Sequence, residues 1–529
     1  MSAGGLIRST AVVSAMTLLS RILGFVRDMV LARAFGAGLA LDAFFVAFKI
    51  PNLLRRLFGE GAFSLAFVPV LSEYREHEGA DATRELVDRV SGTLALILVG
   101  VSLVGVVAAP LLVTLFAPGF LDEPGKFGLT GAMLRVTFPY ILFISLVAFA
   151  GSILNTWGRF AIPAFAPVLL NLVLIAAALW AAPLFEQPVM ALAWAVFLGG
   201  LAQLAFMLPG LARLGLLPRP RWGWRHPGVQ KILRLMGPAV VGSSVAQINL
   251  LFDTLIASFL VTGSVSWLYF ADRMVEFPLG VFGIALSTVI LPSLSGRHAA
   301  EDPEGFRIIL DRALRWVMLL GIPATLGLGL LAGPIITTLF QYGEFTPHQA
   351  EMSALALAAY VAGLPAFILV KVLVPGFYAR QDARTPVRIA IRAMLSNMVL
   401  NIAFVVPMVM MEYRAPHVGL AVATACSAWL NAGLLYRTLR REGVYAPLPG
   451  WRPIWLRILA AAGAMTALLL WLPAPLSEWF GWGARARIEA LLLAVGGGAV
   501  VYLGLLQLLG QRLDLLWRRP EVPPPSGDG

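Results

Sequence analysis

Residues 20–74 read SRILGFVRDMVLARAFGAGLALDAFFVAFKIPNLLRRLFGEGAFSLAFVPVLSEY, and this stretch decides the fold. It is apolar enough to lie in a bilayer, yet charged side chains interrupt it at Arg21, Arg27, Asp28, Arg33, Asp42, Lys49, Arg55, Arg56 and Glu60. An arginine near the bilayer centre costs about 2.5–3.5 kcal/mol on insertion scales, so it needs a water-filled cavity or a partner. The pattern therefore predicts that these charges line a central cavity and hold an anionic group.

The composition of the whole chain is typical of a membrane protein. Of its 529 residues, 59% are hydrophobic and only 13% are charged, whereas a soluble protein carries about 25% charged residues. The net charge of +11 does not indicate nucleic-acid binding, because the basic residues are dispersed among apolar spans. The single cysteine, Cys426, excludes an intrachain disulfide and a CxxC metal site. No cleavage site follows the first apolar run, so we interpret residues 10–35 as a retained span.

Fourteen apolar segments reach the roughly 20 residues that a helix needs to cross a bilayer. They lie near residues 10–35, 38–72, 91–117, 130–156, 162–183, 188–211, 235–260, 264–294, 314–340, 350–378, 388–411, 417–437, 455–473 and 488–511. The second is too long for one straight helix, and Pro51 and Gly59–Glu60–Gly61 predict a bend or break in it. The eighth is also long and contains Pro278, which frees backbone groups that protein or cavity water must satisfy.

The loops between these segments alternate in charge. One set is basic, and its member at residues 213–234 contains six arginines and lysines and no acid. The other set is poor in bases and includes Asp122, Glu123 and Glu344. The positive-inside rule places the basic loops and both termini in the cytoplasm, which agrees with an even number of spans.

The chain also resembles itself, with the first half repeated at a nearly constant offset in the second. The sequence AAPLLVTLF at 108–116 parallels AGPIITTLF at 332–340, and Pro69 in FVPVLS parallels Pro292 in ILPSLS. Each copy contains six spans, so both copies have the same orientation, which is a parallel repeat about the membrane normal. We therefore predict an all-α polytopic membrane protein with two six-helix lobes, residues 1–223 and 224–446, and two extra helices within 447–529. Two such lobes favour alternating access to a substrate between them.

The repeat shows that the cations are unequally divided. Arg21 aligns with Ala246, Arg27 with Phe252 and Arg55 with Pro278, so the first lobe has cations where the second has none. Guanidinium is always charged and binds phosphate through two parallel hydrogen bonds, so two or three such groups suit a diphosphate. The candidate binding residues are Arg21, Arg27, Arg55 and Arg273. The competing interpretation of each is an internal ion pair or a charge that snorkels to a helix end.

Other charged and polar residues are weaker candidates. Asp28 nearly shares a helix face with Arg21, whereas Arg27 is predicted to point elsewhere, and Glu276 shares a face with Arg273. Further cavity or gating charges are Asp42, Arg56 and Lys371, and Asp253 and Asp382 are candidate ligands of a coupling cation. Asn171, Asn249, Asn397 and Asn401 are predicted to form interhelical hydrogen bonds. No GxxxxGK[ST] motif is present, so no cofactor is expected and transport would use an ion gradient or the membrane potential.

Four segments together resemble the MurJ (MviN) family of lipid II flippases in the MOP superfamily. These are SRILGFVRD at 20–28, DAFFVAFKIPNLLRRLFGEGAFSLAFVPVL at 42–71, ADRMVEFPLGVFGIALSTVILPSLS at 271–295 and GFYARQDARTPV at 376–387. The resemblance covers about residues 6–511 and implies translocation of undecaprenyl-diphosphate-linked peptidoglycan precursor from the inner to the outer leaflet of the bacterial cytoplasmic membrane. It carries essential cavity arginines over to Arg21, Arg27, Arg55 and Arg273, and it implicates Asp42 and Glu276.

The same resemblance implies that the last two helices form a groove for the lipid tail. It also implies partners among membrane lipids and the proteins of peptidoglycan synthesis, and a role in cell wall biogenesis and cell shape. One alternative is a flippase for another polyprenyl-diphosphate-linked glycan, or a multidrug exporter of the same superfamily, although cationic drugs would favour acidic cavities. Another is a membrane enzyme, which would need clustered acidic or histidine residues at a membrane face, and the sequence shows no such cluster.

Overall fold

The computed structural model describes residues 3–56 and 63–511, with side chains from residue 12 onward except at 238–246 and at some positions within 281–288. Over these residues the regular structure is helical and contains no strand. The helices are α1 (Ala3–Phe35), α2 (Leu39–Leu54), α3 (Ser64–Glu73), α4 (Gly79–Val107), α5 (Ala109–Phe116), α6 (Pro124–Thr137), α7 (Tyr140–Thr156), α8 (Ala161–Ala176), α9 (Met190–Arg213), α10 (Pro227–Ser258), α11 (Ser264–Pro278), α12 (Ile284–Ala299), α13 (Pro303–Leu330), α14 (Ala332–Phe340), α15 (Pro347–Val361), α16 (Leu364–Tyr378), α17 (Arg384–Met410), α18 (Val418–Arg441), α19 (Trp451–Trp471), α20 (Leu476–Gly481) and α21 (Ala484–Leu508).

The prediction of an all-helical membrane protein is confirmed. Each of the fourteen predicted segments falls on one helix or on consecutive helices, as far as its residues are described. Within the described chain, nine helical stretches are long and apolar enough to cross a bilayer, and the pair α15 and α16, bent by 42°, makes a tenth. A total of fourteen spans stays a prediction, because length and composition alone select fewer stretches.

The long second and eighth segments are interrupted where the sequence led us to expect strain. α2 ends at Leu54 and continues as a π-helical stretch at Arg55 and Arg56. The predicted break at Gly59–Glu60–Gly61 lies outside the described residues. In the second copy α11 ends at Pro278, and a π-helix spans Leu279–Gly283 before α12 begins. π-helical turns often mark functional sites in long helices, and here they begin within one residue of equivalent positions of the repeat.

The boundaries of the elements repeat along the chain as the sequence does. α4 begins at Gly79 and α13 at Pro303, α6 at Pro124 and α15 at Pro347, and α7 at Tyr140 and α16 at Leu364. α1–α9 and α10–α18 are thus two copies of one series of nine helices. α19, α20 and α21 follow this series.

The chain forms two compact units, Met1–Ser266 with Tyr342–Thr346, and Trp267–Gln341 with Pro347–Gly529. α10 belongs to the first unit, in which it packs against α3, α4 and α5. This division reflects packing, whereas the predicted lobes at 1–223 and 224–446 reflect sequence similarity. The lobe boundaries therefore stay a prediction.

An Arg-x-x-x-Asp-Arg sequence occurs once in each copy and binds the segment that follows the copy's last helix. In the first unit the Asp88 carboxylate accepts from the Arg219 backbone N–H at 2.7 Å, and Arg84 donates to the Gly215 carbonyl. In the second unit Asp311 accepts from the Leu448 backbone N–H at 3.1 Å, and Arg307 donates to the Ala446 carbonyl at 2.7 Å. We call these two arrangements the α4 clasp and the α13 clasp.

Two further anchors fix the extra helices within the second unit. The Tyr502 hydroxyl of α21 donates to the Leu319 carbonyl of α13 at 2.8 Å. The buried Arg487, in the first turn of α21, donates to the Thr337 and Gln341 carbonyls at the end of α14 and to two carbonyls of α20. A cation at a helix C-terminus satisfies its orphan carbonyls and its dipole, so α21 is held to α13 and α14 near both of its ends.

Candidate functional site

The predicted site residue Arg27 lies on α1 in the interior of the first unit. Its Nε and Nη2 donate to Asp28 Oδ1 at 2.9 and 2.6 Å, and its Nη1 donates to Asn171 Oδ1 of α8 at 3.1 Å. Asn171 in turn donates to the Ser20 carbonyl at 3.1 Å. Arg27 is 8% exposed and Asp28 is fully buried, so the guanidinium is oriented by an adjacent carboxylate and an amide from another helix.

This arrangement corrects one detail of the sequence interpretation. We expected Asp28 to share a face with Arg21 and Arg27 to point elsewhere, but Asp28 pairs with Arg27 and Arg21 is exposed. Residues at i and i+1 lie about 100° apart on a helix, yet the long arginine side chain folds back onto its neighbour. The prediction that Asn171 makes an interhelical hydrogen bond is confirmed, as is that for Asn397, which donates to Thr424 and Ser427 of α18.

Tyr140 interacts electrostatically with both Arg27 and Arg55. The Tyr140 ring, at the start of α7, is buried, and its hydroxyl interacts electrostatically with both guanidinium groups. Arg55 is half-buried and donates from Nε to Asn52 Oδ1 at 2.9 Å, whereas Arg56 beside it is exposed. Arg27 of α1 and Arg55 at the π-helical end of α2 therefore both lie within electrostatic reach of the Tyr140 hydroxyl.

Lys49 is a further cation of this region. It is one of the charged residues that interrupt residues 20–74, but it was not predicted to bind the substrate. It lies on α2, two turns before Arg56, and its Nζ donates to Thr254 Oγ1 of α10 at 2.5 Å. Its charge and depth in an apolar helix were visible in the sequence. The partner was not, because Thr254 is 205 residues away and its hydroxyl carries no charge.

Asp42 is held differently from the expected gating charge. It is buried, accepts from the backbone N–H groups of Gly263 and Ser266 at 2.7 and 2.9 Å, and accepts from the Ser266 hydroxyl at 2.7 Å. Its carboxylate also pairs with Lys126 Nζ of α6 at 3.1 Å. Asp42 therefore caps the N-terminus of α11, where a negative charge satisfies orphan N–H groups and the helix dipole.

Lys126 follows Asp122 and Glu123 in a base-poor segment and was not among the residues that the sequence pattern selected. It is 1% exposed, lies over the Phe120 ring at 4.3 Å, and donates to Thr262 Oγ1 at 3.1 Å. A lysine is rarely buried unless it is paired, and here Asp42 supplies the charge. No periodicity in the sequence connects the two residues, which is why this pair was missed.

The second unit contains the remaining predicted arginine. Arg273 Nη1 of α11 pairs with Glu276 Oε2 at 2.6 Å, and its guanidinium lies 5.8 Å from the Tyr269 ring centroid. The i,i+3 pairing is the one predicted. Lys371 is an exposed residue of α16 and its stem passes close to Gly283, at the end of the second π-helix.

The two proposed cation ligands have other partners in the structure. Asp382 Oδ1 accepts from the Arg384 and Thr385 backbone N–H groups, both at 3.0 Å, at the start of α17. Its pKa is held below the ordinary value by the hydrogen bonds from Thr385 and Arg384. Asp253 of α10 accepts from Asn249 Nδ2 at 3.5 Å. Within residues 3–56 and 63–511, no three His, Cys, Asp or Glu side chains are grouped closely enough to hold a metal ion.

Together these residues are suited to binding an anion. Guanidinium and ammonium groups of Arg27, Lys49 and Arg55 come from α1 and α2, and the partners described for Lys49 and Arg55 are a hydroxyl and an amide. A hydroxyl or an amide orients the cation that it binds, and the carboxylates of Asp28 and Glu276 pair with Arg27 and Arg273.

Comparisons with known proteins agree with this chemistry. Residues 31–487 match the family model described as "Lipid II flippase MurJ". A Vibrio cholerae serotype O1 protein named probable lipid II flippase MurJ is 50% identical over 517 residues, which cover 96% of this chain and 97% of that protein.

Two solved structures extend the comparison to the fold. A lipid II flippase MurJ in an inward closed conformation is 27% identical, with a TM-score of 0.77 over 95% of this chain and 99% of that chain. An inward-facing multidrug resistance MATE family transporter of the MOP superfamily is 13% identical, with a TM-score of 0.66 over 82% and 98% of the two chains. At that identity the likeness to the MATE transporter shows the fold alone. The chain spans the bilayer several times, and it belongs to the MurJ family.

Proposed function

We propose that this protein is a flippase that moves lipid II, the undecaprenyl-diphosphate-linked peptidoglycan precursor, from the inner to the outer leaflet of the bacterial cytoplasmic membrane. The observation that supports this most directly is the burial of the Arg27 guanidinium in the first unit, where Asp28 and Asn171 orient it. Its family relatives carry the lipid II flippase name. The chain acts as a transporter and not as an enzyme, and both termini lie in the cytoplasm.

The diphosphate is the part of lipid II that these residues recognise. It offers several anionic oxygens, and a guanidinium binds two of them in parallel. Asp28 and Asn171 fix the orientation of Arg27, so little side-chain entropy is lost when an anion binds. Arg21, Lys49 and Arg55 are further cations of α1 and α2 that lie along the same part of the chain. Alternating access then exposes the bound headgroup first to one side of the membrane and then to the other.

Complementation tests the function and the site together. Cells depleted of their own lipid II flippase should grow when this chain is expressed. Growth should be lost with Arg21→Ala, Arg27→Ala, Arg55→Ala and Arg273→Ala at normal membrane levels of protein. The matched control is Arg485→Ala, because the Arg485 side chain is 92% exposed and pairs with Glu489 on its own helix. If all four variants sustain growth, the site assignment is wrong.

A reconstituted assay separates lipid II from other substrates. Purified protein in proteoliposomes is offered lipid II, another polyprenyl-diphosphate-linked glycan, or a cationic drug. We expect translocation of lipid II and none of the drug, since a cationic site repels a cation. Movement of the second glycan at the rate of lipid II would mean that the diphosphate alone is recognised. Movement of the drug but not of lipid II would contradict the proposal.

The same function predicts the surroundings of the protein. Membrane lipids contact its apolar helices, and proteins of peptidoglycan synthesis would supply and consume the precursor. The energy would come from the membrane potential or from a monovalent cation, with Asp253 and Asp382 as the candidate cation residues. Asp382 already serves as a cap for α17, so we favour the membrane potential.

A further inference from the structure

Two glycines at equivalent positions of the repeat lie against the ends of helices from the opposite copy. Gly119 follows α5, and Gly343 follows α14, the counterpart of α5 in the second copy. Each is followed closely by a fully buried phenylalanine, Phe120 and Phe345 respectively. All the residues of both contacts belong to the first compact unit.

The first contact joins the loop between α5 and α6 to the end of α10. The Gly119 N–H donates to Ser258 Oγ at 3.1 Å, and Ser258 is the last residue of α10. A Cβ on Gly119 would overlap the Ser258 carbonyl and would lie 2.6 Å from the Phe259 backbone nitrogen. Since these are backbone atoms at a helix end, they cannot rotate away from a larger residue as a side chain could.

The second contact joins the loop between α14 and α15 to the end of α1. The Glu344 N–H donates to the Arg33 carbonyl in the last turn of α1 at 3.0 Å, which satisfies a carbonyl that the helix leaves unpaired. Gly343 adopts φ +58°, and a Cβ there would overlap the Arg33 carbonyl and lie 3.1 Å from Arg33 Cγ. The left-handed backbone and the close approach both require glycine.

In each of the two contacts, a loop of one copy meets a helix of the other copy. The loop of the first copy meets the first helix of the second copy, and the loop of the second copy meets the first helix of the first copy. The charge alternation assigns both loops to the same, non-cytoplasmic side. We propose that Gly119 and Gly343 form a reciprocal latch, which joins the two copies on that side and must separate before the substrate can leave there.

This inference rests on the proposed function only for the identity of the substrate, lipid II, that would leave on this side of the membrane. The close approach of backbone atoms permits a tight fit in one conformation, and a hydrogen bond to one side chain, Ser258 Oγ, supports it in the first contact. A residue larger than glycine would therefore destabilise the latched conformation while leaving the cation site unchanged, which makes the two glycines positioning residues for transport.

Accessibility of a buried cysteine tests the latch without any lipid II. Ser264 is 1% exposed and begins α11, just after the helix end that Gly119 contacts. In a Cys426→Ser background, Ser264→Cys is introduced, and the purified protein in phosphatidylethanolamine–phosphatidylglycerol nanodiscs is labelled with a hydrophilic maleimide. Overpacking by one side chain is expected to raise the labelling rate about tenfold in Gly119→Val and in Gly343→Ala.

Matched glycines serve as controls. A Cβ on Gly125, in the first turn of α6, meets no atom within 4 Å, so Gly125→Val should label like the parent. Gly443 has φ +70° and no atom within 4 Å of a Cβ, so Gly443→Ala reproduces the backbone strain of Gly343→Ala without its overlap. Parental labelling rates in both latch variants would overturn the proposal, as would an equal rise in the control variants.

Two further results keep the test decisive. If Gly119→Val is not recovered from membranes, Ser258→Ala removes the hydroxyl acceptor without adding volume, and unchanged labelling of that variant would reject the latch. Failure of the parent chain to translocate lipid II would reject the proposed function, but the labelling result would still decide the latch.

Discussion

At the scale of single residues, the buried charges are paired more completely than the sequence predicted. Arg27 is bound by Asp28 and Asn171, and Asp42 is bound by Lys126 and the start of α11. The residue types could be selected from the sequence, since a charge in an apolar segment is costly. Their partners could not, because hydrogen bonds between distant helices leave no local pattern.

Arg27→Lys tests whether transport requires the several hydrogen-bond donors of the guanidinium group in addition to its positive charge. An ammonium group keeps the charge but cannot reach Asp28 through two nitrogens and Asn171 through a third. Losing one charge-assisted hydrogen bond costs about 1.5–3 kcal/mol, so the lipid II translocation rate in proteoliposomes should fall about tenfold or more. Arg485→Lys, at the exposed surface, should keep the parental rate. Equal rates for Arg27→Lys and the parent would show that only charge is needed.

The Asp42–Lys126 pair allows a double-mutant cycle on stability. Asp42→Asn leaves the Lys126 ammonium buried without its closest carboxylate, and breaking a buried pair in this way costs about 3–5 kcal/mol. The double variant Asp42→Asn with Lys126→Met buries no charge at these positions and should recover much of that loss. Thermal unfolding of the four proteins in one detergent measures the coupling. Strictly additive changes would show that the pair does not stabilise the fold.

At the scale of elements, apolar length predicted where the helices lie but not how they are interrupted. The segment predicted at 264–294 is observed as α11, a π-helix at Leu279–Gly283 and α12. Pro278 indicated strain there, but the choice between a kink, a break and a π-helix depends on how the freed backbone groups are satisfied. That choice is made by neighbouring helices, which hydropathy does not encode.

The clasps are elements whose repetition could have been found in the sequence. Arg84–Arg89 reads RELVDR, and Arg307–Arg312, at the corresponding place in the second copy, reads RIILDR. What the motif holds could not be foreseen, because each aspartate binds a backbone group of a loop that is 131 or 137 residues away. Backbone atoms are the same in any sequence, so the partner carries no signature.

Asp311→Ala should release α19 from α13. Asp311 Oδ1 accepts from the Tyr445 hydroxyl at 2.7 Å, from Trp451 Nε1 at 2.9 Å and from the Leu448 backbone N–H, while Oδ2 pairs with Arg315. Removing the carboxylate leaves buried donors unsatisfied, at about 1–3 kcal/mol for each. Limited proteolysis should then cleave residues 442–450 faster than in the parent. As a control, Glu489→Ala changes an exposed pair and should not alter cleavage. An unchanged digestion pattern for Asp311→Ala would contradict this role.

At the scale of the whole molecule, the repeat was readable from the sequence and the packing was not. The similarity between the two halves of the sequence reports common ancestry, and the helix boundaries follow it. The compact units depend on side-chain packing, which assigns α10 to the first unit. Family membership was also predictable, because four segments of the sequence resemble the family, and the family model matches residues 31–487.

The unequal division of positive charge between the two copies leads to a prediction about the energy source of transport. The excess of cations in the first copy moves relative to the membrane field during alternating access, and so does the diphosphate when it is bound. A negative cytoplasm favours outward movement of the anionic headgroup and inward return of the empty cationic site. Each elementary charge contributes about 2.3 kcal/mol per 100 mV, so dissipating the potential should slow lipid II translocation severalfold or more.

Proteoliposomes with a potassium gradient and valinomycin supply a potential of either sign. Replacing sodium by choline at a fixed potential is the control, and it should leave the rate unchanged. A rate that follows sodium and ignores the potential would instead assign coupling to a cation.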